Sequence, residues 1–295
     1  DDVVKIGRTH LQDAVPIRLG QEFRAYAGFM RRDLKRISQA NRHLLVVNIG
    51  ATAVGTGLNA SEEYMERDVT HLREITGLPV ERADDLVDAT QNTDAYMEIS
   101  AALKVCAVNI SKMCNDIRLM ASGPRAGLNE LSLPPRQPGS SIMPGKVNPV
   151  IAEVMNQISF QVIGNDHTIS LACEAGQFEL NVMVPVAAHN LLHSLKIMKN
   201  GLDVLHRLMI ADLEANRDVC KAYVDNSLGI ITALNPHLGY EVAARLVKES
   251  LSTGQKIRDL ILEKGLLTEQ EITDILDPYQ MTSPGIACEK YLLNQ

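Results

Sequence analysis

Tryptophan is absent from this 295-residue chain, and aromatic residues make up only 4% of it. The hydrophobic fraction is nevertheless 45%, so a core must be built mainly from aliphatic side chains and methionine. A chain of this length can bury a sizeable core, in one large domain or in two ordinary ones. An aliphatic core with few aromatic residues favours packed helices.

The features of membrane, secreted and nucleic-acid-binding proteins are also missing. No apolar run reaches the roughly 18 residues that a membrane-spanning helix needs, and no signal peptide is recognisable. The net charge is −7, without the basic stripe of a nucleic-acid surface. We therefore expect neither a membrane nor a nucleic acid as a partner.

Cysteine and histidine are too scattered to predict disulfides or a metal site. The five cysteines form no Cys-x-x-Cys pair, which favours reduced thiols and a cytoplasmic location. His189 and His193 have the spacing of two zinc ligands on one helix. However, Asn190 follows His189 where a metalloprotease has glutamate, and no third ligand stands out. We expect no metal and no cofactor.

Apolar residues at alternating spacings of four and three predict long helices that pack side by side. The most regular series contains Ile99, Leu103, Cys106, Ile110, Met113, Ile117 and Met120. A second contains Leu191, Leu195, Met198, Leu202, Leu205 and Met209, and a looser third contains Leu19, Phe23, Tyr26, Met30, Leu34 and Ile37. A fourth helix is predicted to place Val147, Ile151, Val154 and Ile158 on one face. The fold class is therefore all-α, a long-helix bundle shared between subunits.

The helical rhythm shortens near residue 215. Short helices are predicted around residues 214–224, 239–252, 255–263 and 268–276. Gly265 suits the position after a helix end, and Thr268 with Glu271 forms a capping-box pattern. These patterns predict a helical-bundle domain over residues 1–218 and a small C-terminal helical domain over residues 219–295.

The stretch that carries most chemistry is Gly-Ser-Ser-Ile-Met-Pro-Gly-Lys-Val-Asn-Pro at residues 139–149. Prolines and glycines shape the loop and leave its N–H groups and hydroxyls able to converge on an anion. A solvated turn between two helices is the plain alternative. A phosphate-binding P-loop does not fit, because Ser140 stands where its first glycine is needed and Val147 follows the lysine.

This loop resembles a loop of the aspartase/fumarase superfamily. Four more segments resemble blocks of the same family in the same order, at residues 7–14, 50–59, 121–128 and 162–166. The resemblance implies a homotetramer without an organic cofactor, with active sites built from segments of three subunits. It covers about the C-terminal two-thirds of a family member. We therefore expect the family's first third to be missing here, and the chain to be inactive alone.

The resemblance also implies roles for the loop residues. Ser140 is expected to be the general base that removes a proton from the carbon next to a substrate carboxylate. Ser141 is expected to bind this carboxylate as it takes up charge. Lys146 and Asn148 are expected to hold the other carboxylate of a small dicarboxylate substrate by charge and hydrogen bonding. A solvated lysine is the plain alternative for Lys146.

Three residues outside the loop gain roles in the same way. Thr9 and His10 are expected to contact the substrate, with His10 near the leaving amino group, as a proton carrier or as a hydrogen-bond donor. Glu153 is expected to pair with His10. The plain alternatives are a structural histidine and an ordinary acidic residue on a helix surface.

Two segments bear on the reaction. Residues 86–96 and 278–287 resemble the ammonia-eliminating members of the family more than the hydratases. The expected reaction is the reversible elimination of ammonia from L-aspartate to give fumarate. The alternatives are fumarate hydration and, from another class, a non-enzymatic helical scaffold or an incomplete fragment.

Overall fold

The computed structural model describes residues 1–137, 139 and 142–292 of the chain. Most of these residues are helical, which confirms the all-α class. The helices are α1 (Leu19–Ala40), α2 (Glu62–Thr76), α3 (Leu86–Gln91), α4 (Asp94–Met120), α5 (Val150–Glu174), α6 (Val184–Leu208), α7 (Arg217–Asn226), α8 (Ile231–Leu238), α9 (Tyr240–Thr253), α10 (Ile257–Glu263), α11 (Glu269–Ile275) and α12 (Pro278–Met281).

Short strands accompany the helices, and the sequence analysis did not predict them. Strands β1 (Val4–Thr9) and β2 (Gln12–Arg18) form an antiparallel hairpin. Two smaller pairs follow, a parallel one between β3 (Val46–Val47) and β4 (Glu81–Arg82) and an antiparallel one between β5 (Leu131–Ser132) and β6 (Glu214–Ala215).

The chain divides into two compact units. One comprises Asp1–Tyr26, Met120–Ser132 and Leu213–Gln295, and the other comprises Ala27–Leu119 and Leu133–Asp212. We call these the hairpin unit and the long-helix unit. The domain boundary expected between residues 218 and 219 stays a prediction.

The apolar series of helix α4 is confirmed. All seven of its predicted residues are buried, from Ile99 to Met120. Helix α4 also contributes polar contacts inside the long-helix unit, where Ser100 Oγ donates to Asp166 Oδ1 at 2.8 Å and Lys104 Nζ to Asp166 Oδ2 at 2.5 Å. Helices α4 and α5 are thus joined by a buried carboxylate as well as by apolar packing.

The predicted stripe of helix α6 is wrong at Leu195, which is exposed, while Ser194 and Gly201 are buried. Small residues face α5 because the two helices approach closely. A Cβ atom on Gly201 would lie 2.6 Å from Ile158 Cδ1. Asn165 Nδ2 also donates to Ser194 Oγ at 2.9 Å across this contact.

The predicted apolar faces of helices α5 and α1 are wrong in the same manner. Val147 and Val154 are exposed, and the buried residues of α5 include Asn156 and Asn165. In α1, Leu34 is exposed and Asp33 is buried, where both its carboxylate oxygens accept from Asn109 Nδ2 at 3.1 and 2.9 Å. Paired polar groups therefore occupy core positions that the apolar pattern assigned to neighbouring residues.

The short C-terminal helices are confirmed within three residues of their predicted bounds, as α7, α9, α10 and α11. Gly265 has φ +62 after the end of α10, and the Thr268–Glu271 capping box is present. These helices enclose a core of aliphatic residues: Val224, Ile230, Leu234, Leu246, Ile257, Leu260, Ile261, Ile272, Ile275 and Ala287. Across the described part of the chain, no helix has both the length and the apolar character to cross a membrane.

Candidate active site

The Thr9-His10 pair lies at the tip of the β1–β2 hairpin, in the hairpin unit. Thr9 pairs with Gln12, so His10 and Leu11 are the two turn residues. Both have positive φ, +53 and +60, which residues other than glycine adopt at a cost of about 1–3 kcal/mol each. The turn exposes Thr9, His10 and Leu11 to solvent, so the predicted substrate-contacting side chains are presented on a strained, accessible turn.

Two close contacts hold the second strand of this hairpin. Ser227 Oγ donates to Asp13 Oδ2 at 3.0 Å. The backbone of Gly229 packs so tightly on the strand that a Cβ there would lie 1.9 Å from the carbonyl oxygen of Ala14. These two contacts therefore hold β2 in place next to the exposed turn.

Sequence reasoning missed a buried group of charges beside the hairpin, which we call the Glu130 cluster: Lys5, Arg8, Glu22 and Glu130. Arg8 Nη1 donates to Glu130 Oε1 at 2.8 Å, and Lys5 Nζ donates to Glu22 Oε1 at 3.1 Å. Lys5 Nζ also lies 3.3 Å from Glu130 Oε2, near enough for an ion pair although poorly aligned for a hydrogen bond. In the sequence, only the position of Arg8 directly before Thr9 pointed to this cluster.

The buried thiol of Cys220 lies next to this cluster. Cys220 Sγ donates to the carbonyl oxygen of Glu130 at 3.6 Å. Burial, reinforced by the negative charge of Glu130, raises the pKa of the Cys220 thiol to about 11. The Glu130 side chain itself is fully buried.

Glycine is required at the start of the predicted loop, in the long-helix unit. Asn148 Nδ2 donates to the carbonyl oxygen of Gly139 at 3.2 Å. A Cβ on Gly139 would lie 2.0 Å from the carbonyl oxygen of Lys146. The two ends of the loop thus meet at a neck, formed by Gly139 on one side and by Lys146 and Asn148 on the other. The Lys146 side chain is exposed, and that of Asn148 is half-buried.

Glu153 lies in the first turn of helix α5, after the loop. Its carboxylate is half-buried, with Oε1 3.5 Å from Arg118 Nη2 of helix α4. Arg118 Nη1 also donates to Asn156 Oδ1 at 3.2 Å, one turn further along α5. Arg118 is a second partner that sequence reasoning missed, and the expected pairing of Glu153 with His10 stays a prediction.

Ser140 and Ser141 lie outside the described residues. Of the other expected site residues, Lys146, Asn148 and Glu153 belong to the long-helix unit, and Thr9 and His10 belong to the hairpin unit. The roles of all seven residues stay predictions.

No group of three or more histidine, cysteine, aspartate or glutamate side chains is placed to hold a metal ion within the described ranges. The rings of His189 and His193 stack with centroids 6.2 Å apart. The expectation that this protein uses no metal stays a prediction.

Comparison with known proteins identifies the family. Residues 1–164 match the family described as "Lyase", and residues 230–283 match "Fumarase C C-terminus". The chain is 64% identical, over 99% of its length, to the aspartate ammonia-lyase of Bacillus subtilis (strain 168), of which it spans 62%.

Solved structures agree with this result. A Brucella melitensis protein described as fumarate lyase:delta crystallin, in a cobalt-bound crystal, matches with a TM-score of 0.92 at 44% identity, over 95% of this chain and 61% of that one. A class II fumarase from Schistosoma mansoni matches with a TM-score of 0.86 at 36% identity, over 96% of this chain and 62% of that one. With a family match over more than half of its residues and the fold of these lyases, the chain belongs to the aspartase/fumarase superfamily.

Proposed function

We propose that this protein is an aspartate ammonia-lyase, which converts L-aspartate reversibly to fumarate and ammonia. The observation that carries the proposal is its 64% identity to the Bacillus subtilis aspartate ammonia-lyase over nearly the whole chain. Identity to the class II fumarase is only 36% over a similar span. The difference favours ammonia elimination over fumarate hydration.

In this reaction a proton leaves the carbon next to one carboxylate, and the carbon–nitrogen bond breaks with its electron pair going to the departing ammonia. Ser140 takes the proton. Ser141 binds the carboxylate on which negative charge develops, and N–H donors of the loop share that charge. A serine hydroxyl is a weak base, so Ser140 must react as its alkoxide. The negative charge of this alkoxide needs stabilisation by N–H donors as much as the charge on the substrate does.

The other carboxylate is held by Lys146 and Asn148. Three features of the loop's C-terminal side support an anion there: the exposed Lys146 ammonium, the Asn148 amide at the neck, and the start of helix α5 at Val150. Pro149, the residue before α5, provides no side-chain acceptor for the first N–H groups of the helix. N–H groups at a helix start attract negative charge.

His10 acts near the leaving amino group, and Thr9 contacts the substrate beside it. Exposure of both side chains on a strained turn supports a role in binding, because unusual backbone conformations are concentrated at functional sites. We propose that a homotetramer in the cytoplasm brings Thr9-His10 and the Ser140 loop together from different subunits.

The test, like the activity assays described below, uses the full-length protein. It follows fumarate absorbance with L-aspartate and, separately, with malate as substrate. We expect aspartate to be turned over far better than malate. A preference for malate would make the protein a fumarate hydratase, and an absence of turnover with both would favour a scaffold.

A matched pair of serine variants tests the base. Ser140→Ala should lower kcat by at least about 100-fold, the usual minimum for the loss of a general base. Ser252→Ala, on the exposed end of α9, should retain full activity. A Ser140→Ala enzyme within tenfold of the unmodified protein would exclude Ser140 as the base.

A further inference from the structure

The Glu130 cluster links a buried, immobilised carboxylate to the residue that precedes Thr9. Glu130 is fully buried, the Lys5 side chain is 3% exposed and that of Arg8 is 14% exposed. With Glu22, whose side chain is 21% exposed at the edge of the cluster, two positive and two negative groups lie together. The charges therefore balance only while all four stay in place.

Two basic side chains of strand β1, those of Lys5 and Arg8, reach the same carboxylate. Lys5 and Arg8 are three residues apart, and in a regular strand such residues point to opposite faces. The hairpin is irregular between them, because Ala14 and Val15 of β2 face the single residue Gly7 of β1. Such a bulge increases the local twist and changes the direction of the side chains beside it. A Cβ on Gly7 would lie 2.7 Å from the carbonyl oxygen of Val15, so this close approach of the two strands needs glycine at residue 7.

The backbone that carries Glu130 is held on every side. Its N–H donates to the carbonyl oxygen of Met120 at 2.7 Å, and its own carbonyl oxygen accepts from the N–H of Asn216 at 2.9 Å. Asn129, just before it, is held at φ +49 and accepts at its carbonyl oxygen from Asn216 Nδ2 at 2.8 Å. The Glu130 carboxylate therefore has a fixed position, and its contacts with Lys5 and Arg8 position strand β1 of the hairpin.

Arg8 connects Glu130 to the turn of the hairpin. Its guanidinium lies between the Glu130 carboxylate, at 2.8 Å, and the ring of Tyr223, with 5.4 Å from its central carbon to the ring centre. Thr9 and His10 follow directly in the chain, so a rotation of β1 at Arg8 would move both of their side chains.

We propose that Glu130 is a positioning residue, which acts through Arg8 to set the orientation of Thr9 and His10 for catalysis. This inference rests on the proposed function, because it requires that Thr9 and His10 contact the substrate. Glu130 itself is buried and does not touch the substrate.

The experiment is a double-mutant cycle that measures kcat/KM for L-aspartate. Glu130→Gln keeps the shape of the side chain and removes its charge. We expect it to lower kcat/KM by up to about 100-fold, the loss that a displacement of about 1 Å can cause. In a His10→Ala background, Glu130→Gln should lower kcat/KM by less than threefold further, because the group that it positions is gone.

Glu22→Gln is the matched control, since it removes another carboxylate from the same cluster. Glu22 bonds Lys5, so this variant should lower the midpoint of thermal unfolding while leaving kcat/KM within twofold. A merely structural role for Glu130 would make the two glutamine variants alike in both measurements. If Glu130→Gln does not fold, Arg8→Lys takes its place in the cycle, because lysine keeps the charge and loses the guanidinium geometry.

Unchanged kcat/KM in Glu130→Gln, or equal losses with and without His10, would overturn the positioning role. A neutral His10→Ala variant would instead contradict the role proposed for His10, and the cycle is then decided with Thr9→Ala. If His10→Ala and Thr9→Ala both leave kcat/KM unchanged, neither side chain contributes to catalysis. Glu130 then has no catalytic group to position, and the inference fails as well.

Discussion

Gly139→Ala should impair catalysis while leaving the fold intact. A Cβ at residue 139 would lie 2.0 Å from the Lys146 carbonyl oxygen, whereas such contacts are essentially never closer than 3.0 Å. The backbone at the neck must therefore move by about 1 Å. Displacements of this size can cost about 100-fold in rate, or about 2.7 kcal/mol of transition-state stabilisation.

The assay is the initial rate of fumarate formation from L-aspartate, with thermal unfolding followed by circular dichroism. The rate should fall by about 100-fold, and the unfolding midpoint should change little because the loop residues near Lys146 are exposed. The matched control is Gly145→Ala. Among the described residues other than its two chain neighbours, no atom lies within 4 Å of a Cβ at residue 145, but its φ of +82 would cost alanine about 1–2 kcal/mol.

We expect the control to lose less than the Gly139 variant, because it adds conformational strain without an overlap. A Gly139→Ala rate within threefold of the unmodified protein would refute the reasoning. Equal losses in the two variants would show that the loop needs conformational freedom at glycine, and that close approach at the neck is unimportant.

Lys146→Ala should weaken competitive dicarboxylate inhibitors by about 10- to 100-fold, as expected for one charge-assisted contact; an unchanged inhibition constant would place this lysine outside the site. Asp166→Ala should lower the free energy of unfolding in urea titrations by about 2–3 kcal/mol, because Ser100 and Lys104 lose their buried acceptor. A change below about 0.5 kcal/mol, which is typical of a surface substitution, would contradict this prediction. Burial raises the pKa of the Cys106 and Cys220 thiols to about 11 and that of Cys114 to about 12. These folded-state values exceed the roughly 8.5 of an unfolded thiol, so their contribution to stability is complete below that pH and is lost as the pH rises toward 11–12. Alkylation at pH 8 followed by mass spectrometry should label these three thiols only after unfolding, and rapid labelling of the native protein would contradict their burial.

The candidate site shows which kinds of residue a sequence pattern can reveal. Thr9, His10 and the loop at residues 139–149 were singled out because their polar and glycine-rich segments resemble family blocks. Glu130 and Arg118 escaped notice, because a single charged residue looks the same in sequence whether it is solvated or buried against a partner. Partners such as Arg8 and Glu130 lie 122 residues apart along the chain.

The β1–β2 hairpin was missed for a related reason. Its turn residues, His10 and Leu11, are not those that hairpin turns prefer, since two positive φ values normally select glycine or asparagine. Contacts with Ser227 and Gly229 hold this hairpin in place, and they come from a distant part of the chain.

By itself the sequence determined the helical class, the short C-terminal helices with the Thr268–Glu271 cap, and the buried stripe of α4. These features depend on interactions between residues a few positions apart, which periodicity and capping patterns record directly. The buried faces of α5 and α6 were decided only by tertiary structure, where Asn165 bonds Ser194 and Gly201 admits a close neighbour. Apolar spacing cannot register a paired polar core or the distance between helices, because both depend on the partner that the helix meets.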